Sequence, residues 1–163
     1  VLLLHRKIRR NNGGGVMPGA TTQDIALAHM HRAVWVYMTN QRTMLGVSRG
    51  HHIPLIMALQ PTLAYGKSPS AREREILTTR EGSGNPGWLR AINAYYERMR
   101  VAYREAAKDH PGSVLDKSEL FRAHRQTLYV DHCHYNDEGN ELLARALAAP
   151  VYAALKRRVR QGL

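Results

Sequence analysis

A short, nearly continuous apolar run, Ile53–Leu59, lies between two longer segments in which apolar residues have helical spacing. The length of this run and its lack of alternation predict a strand that is buried on both faces, as strands of parallel sheets are. Pro54 fits near the start of such a strand, and Gln60-Pro61 ends it. Because a strand of this kind needs neighbouring strands and covering helices, this run constrains the fold more than any other feature.

Two capping boxes mark the starts of predicted helices. Thr21-x-x-Asp24 opens a long helix that we expect to end before Gly46–Gly50, and Ser70-x-x-Glu73 opens a short one. The remaining predicted elements are a helix over Trp88–Lys108, a short strand over Ser113–Asp116 and a last helix from about Glu138, which Pro150 should kink or split. Strands that alternate with helices predict an α/β fold with a parallel sheet.

The chain divides into a short basic segment and one domain. Residues 1–20 are basic and then glycine-rich, which predicts a linker or a frayed segment, and residues 21–163 carry all the predicted elements. Only two or three strands are visible, whereas about five are usual in a sheet that helices cover on both faces. We therefore expect N-terminal strands of the sheet to be missing from this chain.

The net charge of +11 could attract anionic partners, but the basic residues are spread along the chain. The two densest clusters, Arg6–Arg10 and Lys156–Arg160, lie near the ends, and no nucleic-acid-binding signature accompanies them. We therefore expect solvated helix faces, with a basic nucleic-acid or membrane-surface module as the alternative. No apolar run reaches eighteen residues, so no transmembrane segment is predicted.

Asp131 and His134 are the strongest candidates for chemistry. They stand three residues apart in a polar loop before the last predicted helix, so the carboxylate can accept a hydrogen bond from the ring Nδ1–H. The ring Nε2 can then take a proton from a serine hydroxyl. Asn136 or Asp137 can cap the following helix, and Gly139 leaves its first turn open to close packing. The alternative is a purely structural hydrogen bond.

The whole stretch Asp131–Ala144, in which D-x-x-H precedes a helix that begins with Gly-Asn and small or apolar residues, resembles the last conserved block of SGNH/GDSL-type serine hydrolases. Ile53–Leu63, followed by Lys67 and the Ser70-x-x-Glu73 cap, resembles a segment of one bacterial branch of that family. The resemblance covers roughly residues 25–150, which would be the C-terminal portion of such an enzyme.

This resemblance implies a three-layer α/β/α, flavodoxin-like fold and hydrolysis of an acyl ester through a Ser–His–Asp triad. Asp131 and His134 would be two members of the triad. The substrate would be a small-molecule or carbohydrate ester, and neither a metal nor an organic cofactor is required. Gln60 follows the buried strand at its carboxyl end, where α/β sheets bind ligands, and could line the pocket. A glutamine that only caps a loop is the alternative.

The chain also departs from the family pattern, because it has no Gly-Asp-Ser block and no oxyanion-hole glycine and asparagine blocks. Ser83 lies between two glycines but lacks the strand-to-helix turn that exposes a nucleophile. The sequence therefore predicts a catalytically incomplete part of a hydrolase. A metal site at His132-Cys133-His134 is a further alternative, although no second ligand pair has the spacing that zinc sites show.

Overall fold

The structure, a computed structural model, describes residues 22–78 and 86–160. Its helices are α1 (Thr22–Gly50), α2 (Ala71–Thr78), α3 (Pro86–Asp109) and α4 (Asp137–Arg160), and its strands are β1 (Met57–Leu59) and β2 (Val114–Asp116). The predicted linker over 1–20, the Thr21 cap and Ser83 lie outside the described residues. No helix in the described ranges is long and apolar enough to cross a membrane.

The chain divides into two units between Ala33 and Val34. The second unit contains both strands, which pair in parallel with Met57 opposite Val114 and Leu59 opposite Asp116. A parallel pair whose strands are connected through helices confirms the α/β prediction in its coarse form. Within 22–78 and 86–160 the sheet has these two strands and the rest is mainly helical, so three full layers are not established.

The predicted strand over Ile53–Leu59 is too long, because only Met57–Leu59 is paired. The partner strand β2 offers three residues, so the first half of the apolar run has no ladder to join. Ile53 is 55% exposed, which contradicts burial on both faces at that end. Two more backbone bonds extend the contact, from Met57 N to Ser113 O (2.7 Å) and from Lys117 N to Leu59 O (3.0 Å).

Helix α1 continues to Gly50, so the prediction that it ends before Gly46 is wrong. Leu45 is buried in the core, and its burial favours continuation of the helix past the glycine that follows. The helix ends through backbone bonds in the next turn, and His52 adopts a left-handed conformation with φ of 55°. A residue with positive φ commonly terminates a helix, and here it is a histidine rather than a glycine.

The larger core lies between α1, the two strands and α3. Met99, Tyr103 and Ala106 follow each other at helical spacing on α3 and are almost fully buried. On the same helix Tyr96, Leu89 and Ile92 are half-buried, and Tyr96 packs against this core. The predicted helix over Trp88–Lys108 is confirmed by α3, which begins two residues earlier and ends one residue later.

A second core cluster lies between α2 and the start of α4 and consists of Leu63, Ile76, Phe121, Leu128 and Tyr129. The Phe121 ring meets the rings of Tyr129 and Tyr135 edge-on, at centroid distances of 5.7 and 5.3 Å. Edge-to-face aromatic packing is geometrically specific, so this cluster fixes the ends of the loop between Tyr129 and Tyr135. Helix α4 then runs without a break past Pro150, so the expected split is not observed.

Candidate active site

The loop that carries Asp131 and His134 is closed by backbone hydrogen bonds at its base. Tyr129 and Tyr135 form an antiparallel bridge, and Val130 N donates to His134 O at 3.0 Å. One step further out, Asn136 N donates to Leu128 O at 2.9 Å. The chain therefore makes a narrow hairpin-like turn, and the four residues at its tip are held close together.

Helix α4 begins directly after this loop, as the sequence predicted. Asn136 Oδ1 accepts a hydrogen bond from Gly139 N at 2.9 Å, which makes Asn136 the capping residue. A Cβ on Gly139 would lie 2.7 Å from the Leu128 carbonyl oxygen and 2.9 Å from Tyr135 Cβ. The expected close packing at Gly139 is therefore confirmed, and it fixes the loop against the first turn of α4.

The loop is also tied to the chain segment that follows β1. The His132 carbonyl oxygen accepts hydrogen bonds from Thr62 Oγ1 (3.0 Å) and Leu63 N (3.3 Å). The Tyr135 hydroxyl donates to the Pro61 carbonyl at 2.7 Å. The candidate pair therefore lies near the carboxyl end of β1, at the edge of a parallel sheet where α/β proteins bind ligands.

The Asp131 carboxylate uses both oxygens to organise the loop. Oδ1 accepts the backbone N–H groups of Cys133 (2.8 Å) and His134 (2.7 Å), and Oδ2 lies 2.6 Å from His134 Nδ1. Partial burial opposes ionisation of Asp131, but the hydrogen bonds from the His134 ring and the two N–H groups outweigh it. They hold the pKa of the Asp131 carboxyl well below its usual range.

His134 is oriented and accessible at the same time. Its side chain is 75% exposed, and its only hydrogen-bond contacts within the described chain are made through Nδ1 and the backbone. With Asp131 at Nδ1, the imidazole presents Nε2 to the surroundings. The predicted contact between Asp131 and His134 is therefore formed, and the exposed ring leaves Nε2 accessible.

No serine hydroxyl in the described ranges hydrogen-bonds to His134. Ser70 Oγ pairs with Thr127 Oγ1 at 2.8 Å, Ser118 Oγ donates to Asp116 at 2.6 Å, and Ser48 Oγ donates to the Ile53 carbonyl. Gln60 is exposed next to β1, and its side chain makes no hydrogen bond to a described residue. The structure thus brings Asp131 and His134 together, and it joins neither Gln60 nor a serine to them by a hydrogen bond.

A buried ion pair between Lys67 and Glu73, which was not predicted from the sequence, stabilises the chain just before this loop. Glu73 Oε2 accepts from Ser70 N at 2.8 Å, which confirms the capping box, and also binds Lys67 Nζ at 2.5 Å. Glu73 Oε1 accepts from Leu128 N at 2.8 Å, just before the loop. Burial opposes ionisation of Glu73, but these bonds prevail and lower the pKa of its carboxyl. The sequence feature that could have predicted this ion pair is the capping-box glutamate six residues after a lysine.

A second carboxylate at the same sheet edge, Asp116, is fully engaged in structural contacts. It ends β2, accepts from Ser118 through Oδ1 and binds Arg100 Nε through Oδ2 at 2.9 Å. Arg100 also makes a two-pronged contact with Glu119, with both distances at 3.0 Å. Burial acts against ionisation of Asp116, yet the bonds from Ser118 and Arg100 lower the pKa of its carboxyl. Asp116 is therefore a fixed anion rather than a proton donor.

The residues that could hold a metal ion in this loop differ from the three that the sequence suggested. Ligand atoms of Asp131, His132 and Cys133 lie within 4.8 Å of one another, whereas His134 is not a member of this group. The His132 ring packs edge-on against Trp88, and its Nδ1 is buried without a hydrogen-bond partner among residues 22–78 and 86–160. Burial and the neighbouring Asp131 raise the pKa of the Cys133 thiol. Asp131 cannot give its Oδ2 to a metal without weakening its bond to His134.

No family model, curated protein sequence or solved structure matches this chain.

Proposed function

We propose that this chain supplies the histidine–aspartate arm of an SGNH/GDSL-type hydrolase that cleaves acyl esters through a Ser–His–Asp triad. The observation that carries the proposal is the 2.6 Å contact between Asp131 Oδ2 and His134 Nδ1, with the rest of the His134 ring exposed. The position of the loop near the carboxyl end of β1 supports it further. The proposal includes the three-layer α/β/α fold, of which this chain would form the C-terminal part.

In the proposed reaction His134 Nε2 takes the proton of a serine hydroxyl as the serine oxygen attacks the ester carbonyl. Asp131 keeps the imidazole in the tautomer that can accept this proton and stabilises the resulting imidazolium. His134 then returns the proton to the departing alcohol, and an acyl-serine remains. Water hydrolyses this intermediate with His134 again as general base, which releases the acid and restores the serine.

In this proposal the nucleophile and the oxyanion-hole donors lie outside these 163 residues, since the sequence has no Gly-Asp-Ser block. The proposed substrate is a small-molecule or carbohydrate ester, and Gln60, exposed beside the carboxyl end of β1, is a candidate contact for it. By itself the chain would lack the electrostatic stabilisation of the tetrahedral intermediate, which is usually a large part of catalysis.

The test is fluorophosphonate labelling of the complete product of the gene that encodes this chain, followed by intact mass and peptide mapping. We expect one labelled serine in the wild type and none in His134→Ala, with labelling retained in the control His51→Ala, which removes an exposed histidine. The 163-residue chain alone should take up no label. A folded gene product that remains unlabelled, or a label that is independent of His134, would contradict the proposal.

A further inference from the structure

A cavity of about 210 Å³ lies at the edge of the sheet opposite to the His134 loop. The residues immediately before β1 and the residue before β2 form part of its wall, so it lies at the amino ends of the two parallel strands. It is lined by Ser48, Arg49, His52, Ile53, Pro54, Leu55, Ser113, Ala154 and Arg157. These residues come from α1, the α1–β1 connection, the β2 entry and α4, so four separate segments build one cavity.

The charged and titratable residues that line the cavity are all basic types. Arg49, His52 and Arg157 contribute to the wall, and no aspartate or glutamate does. Arg49 Nη2 donates to the Asp109 carbonyl at 3.2 Å, and this bond holds its guanidinium in place. In the part of the chain that the structure describes, the side chains of His52 and Arg157 have no hydrogen-bond or ion-pair partner. Their donor groups are therefore available to a ligand.

The wall is fixed by backbone geometry rather than by long side chains alone. Ile53 N donates to the Ser48 carbonyl at 2.8 Å, and Ser48 Oγ donates back to the Ile53 carbonyl. Gly112 has a φ of 76°, and the guanidinium nitrogens of Arg157 lie 3.6 and 3.7 Å from the position that a Cβ there would take. His52 is the single non-glycine residue with positive φ in the described ranges. The left-handed residue that follows α1 therefore also lies in the cavity wall.

We propose that this cavity binds a small phosphorylated molecule, with the phosphate group between Arg49 and Arg157. Two guanidinium groups match the charge of a phosphate dianion and offer it forked donors. The hydroxyl of Ser113 and the ring of His52 can add further hydrogen bonds. The volume is below the roughly 300–1,000 Å³ of pockets for drug-sized ligands, so only a small substituent fits beside the phosphate. Pro54 and Leu55 give that substituent an apolar wall.

The test is calorimetric titration of the folded chain with inorganic phosphate and with glycerol 3-phosphate, at constant ionic strength maintained with sodium chloride. We expect saturable one-to-one binding of both, and at least a tenfold weaker affinity in Arg49→Gln/Arg157→Gln. The control Arg42→Gln/Arg125→Gln removes the same charge from two exposed arginines outside the cavity. It should bind like the wild type.

Several results would overturn the proposal. Equal losses in the two double variants would mean that the net charge of the chain attracts phosphate without a site. Absence of saturable binding in the folded wild type would mean that the arginines only offset the negative ends of α1 and α3, as cations near helix C-termini do. Binding to phosphatidate vesicles without binding to either soluble phosphate would identify a membrane surface instead. None of these outcomes depends on the esterase proposal.

Discussion

The carboxylates of Glu73 and Asp131 have similar hydrogen-bond partners but differ in their exposure to solvent. Each carboxylate accepts two backbone N–H groups, and each has a basic partner, Lys67 for Glu73 and His134 for Asp131. The side chains of Glu73 and Lys67 are 0% and 1% exposed, whereas those of Asp131 and His134 are 35% and 75% exposed. A buried pair fixes the fold because no solvent can replace its bonds, while an exposed pair can orient a group that must meet a substrate.

The comparison predicts opposite consequences for neutralising the two carboxylates. Asp131→Asn keeps an oxygen for the two N–H groups but places an amide at His134 Nδ1, which favours the wrong tautomer. We expect kcat of the complete gene product to fall by about 10⁴-fold, as in serine proteases altered in this way. The unfolding free energy should fall by only about 1 kcal/mol, because the pair is largely exposed. Ester hydrolysis and urea unfolding measure the two quantities.

Asp137→Asn is the matched control, because Asp137 is an exposed aspartate in the first turn of α4 and has no side-chain partner among the described residues. It should leave kcat within about twofold, since it touches neither member of the pair. Equal losses of activity in the two variants would mean that the loop tolerates no change of charge. The Asp131–His134 contact would then have no specific role in hydrolysis.

For Glu73→Gln we expect the reverse pattern, a large loss of stability. Removing one charge of a buried pair leaves Lys67 without a counter-ion, and such changes cost roughly 3–5 kcal/mol of unfolding free energy. Urea unfolding followed by circular dichroism gives the value. The control Glu75→Gln breaks an exposed pair with Arg72 on the same helix and should cost about 0–1 kcal/mol. Similar small costs in both variants would show that burial does not distinguish the two pairs.

Substitutions at two glycines compare a closely packed backbone position near the loop with an open one on α1. Gly139→Ala would place a Cβ 2.7 Å from the Leu128 carbonyl oxygen, and we expect a loss of roughly 1–3 kcal/mol of unfolding free energy. Gly46→Ala meets nothing within 4 Å on α1 and should instead gain about 0.5–1 kcal/mol from helix propensity. Thermal unfolding distinguishes the signs. A destabilised Gly46→Ala would argue against a regular helix at that position.

Local features could be predicted from the sequence because they depend on neighbouring residues. The caps at Ser70 and Asn136 and the Asp131–His134 bond all join residues three apart. The length of β1 depends on what β2 offers some 57 residues away, and no pattern within Ile53–Leu59 contains that information.

The same limit applies to the contacts that only the fold creates. Glu73 binds Leu128 N across 55 residues, and Arg49 and Arg157, 108 residues apart in the sequence, line one cavity. The sequence shows that these residues are charged, but only the fold decides which charges are buried or brought together.

The smallest expected effect is the pH dependence of stability. It tests whether, as pH falls, Glu73 loses its contribution to the free energy of unfolding before Asp116 and Asp131 do. Its pKa is lowered from 4.5 in the folded chain, so the unfolded state binds protons more tightly and acid favours unfolding. The stabilisation from Glu73 is present above pH 4.5 and is lost as pH falls through its folded pKa. The pKa values of Asp116 and Asp131 are lowered from 3.8, so the stabilisation from these two residues is lost at lower pH.

In urea titrations between pH 6 and pH 3, Glu73→Gln should therefore lose less stability than the wild type as pH falls below 4.5. Parallel curves for the two proteins would mean that the pKa of Glu73 does not differ between the folded and the unfolded chain, which would contradict this prediction.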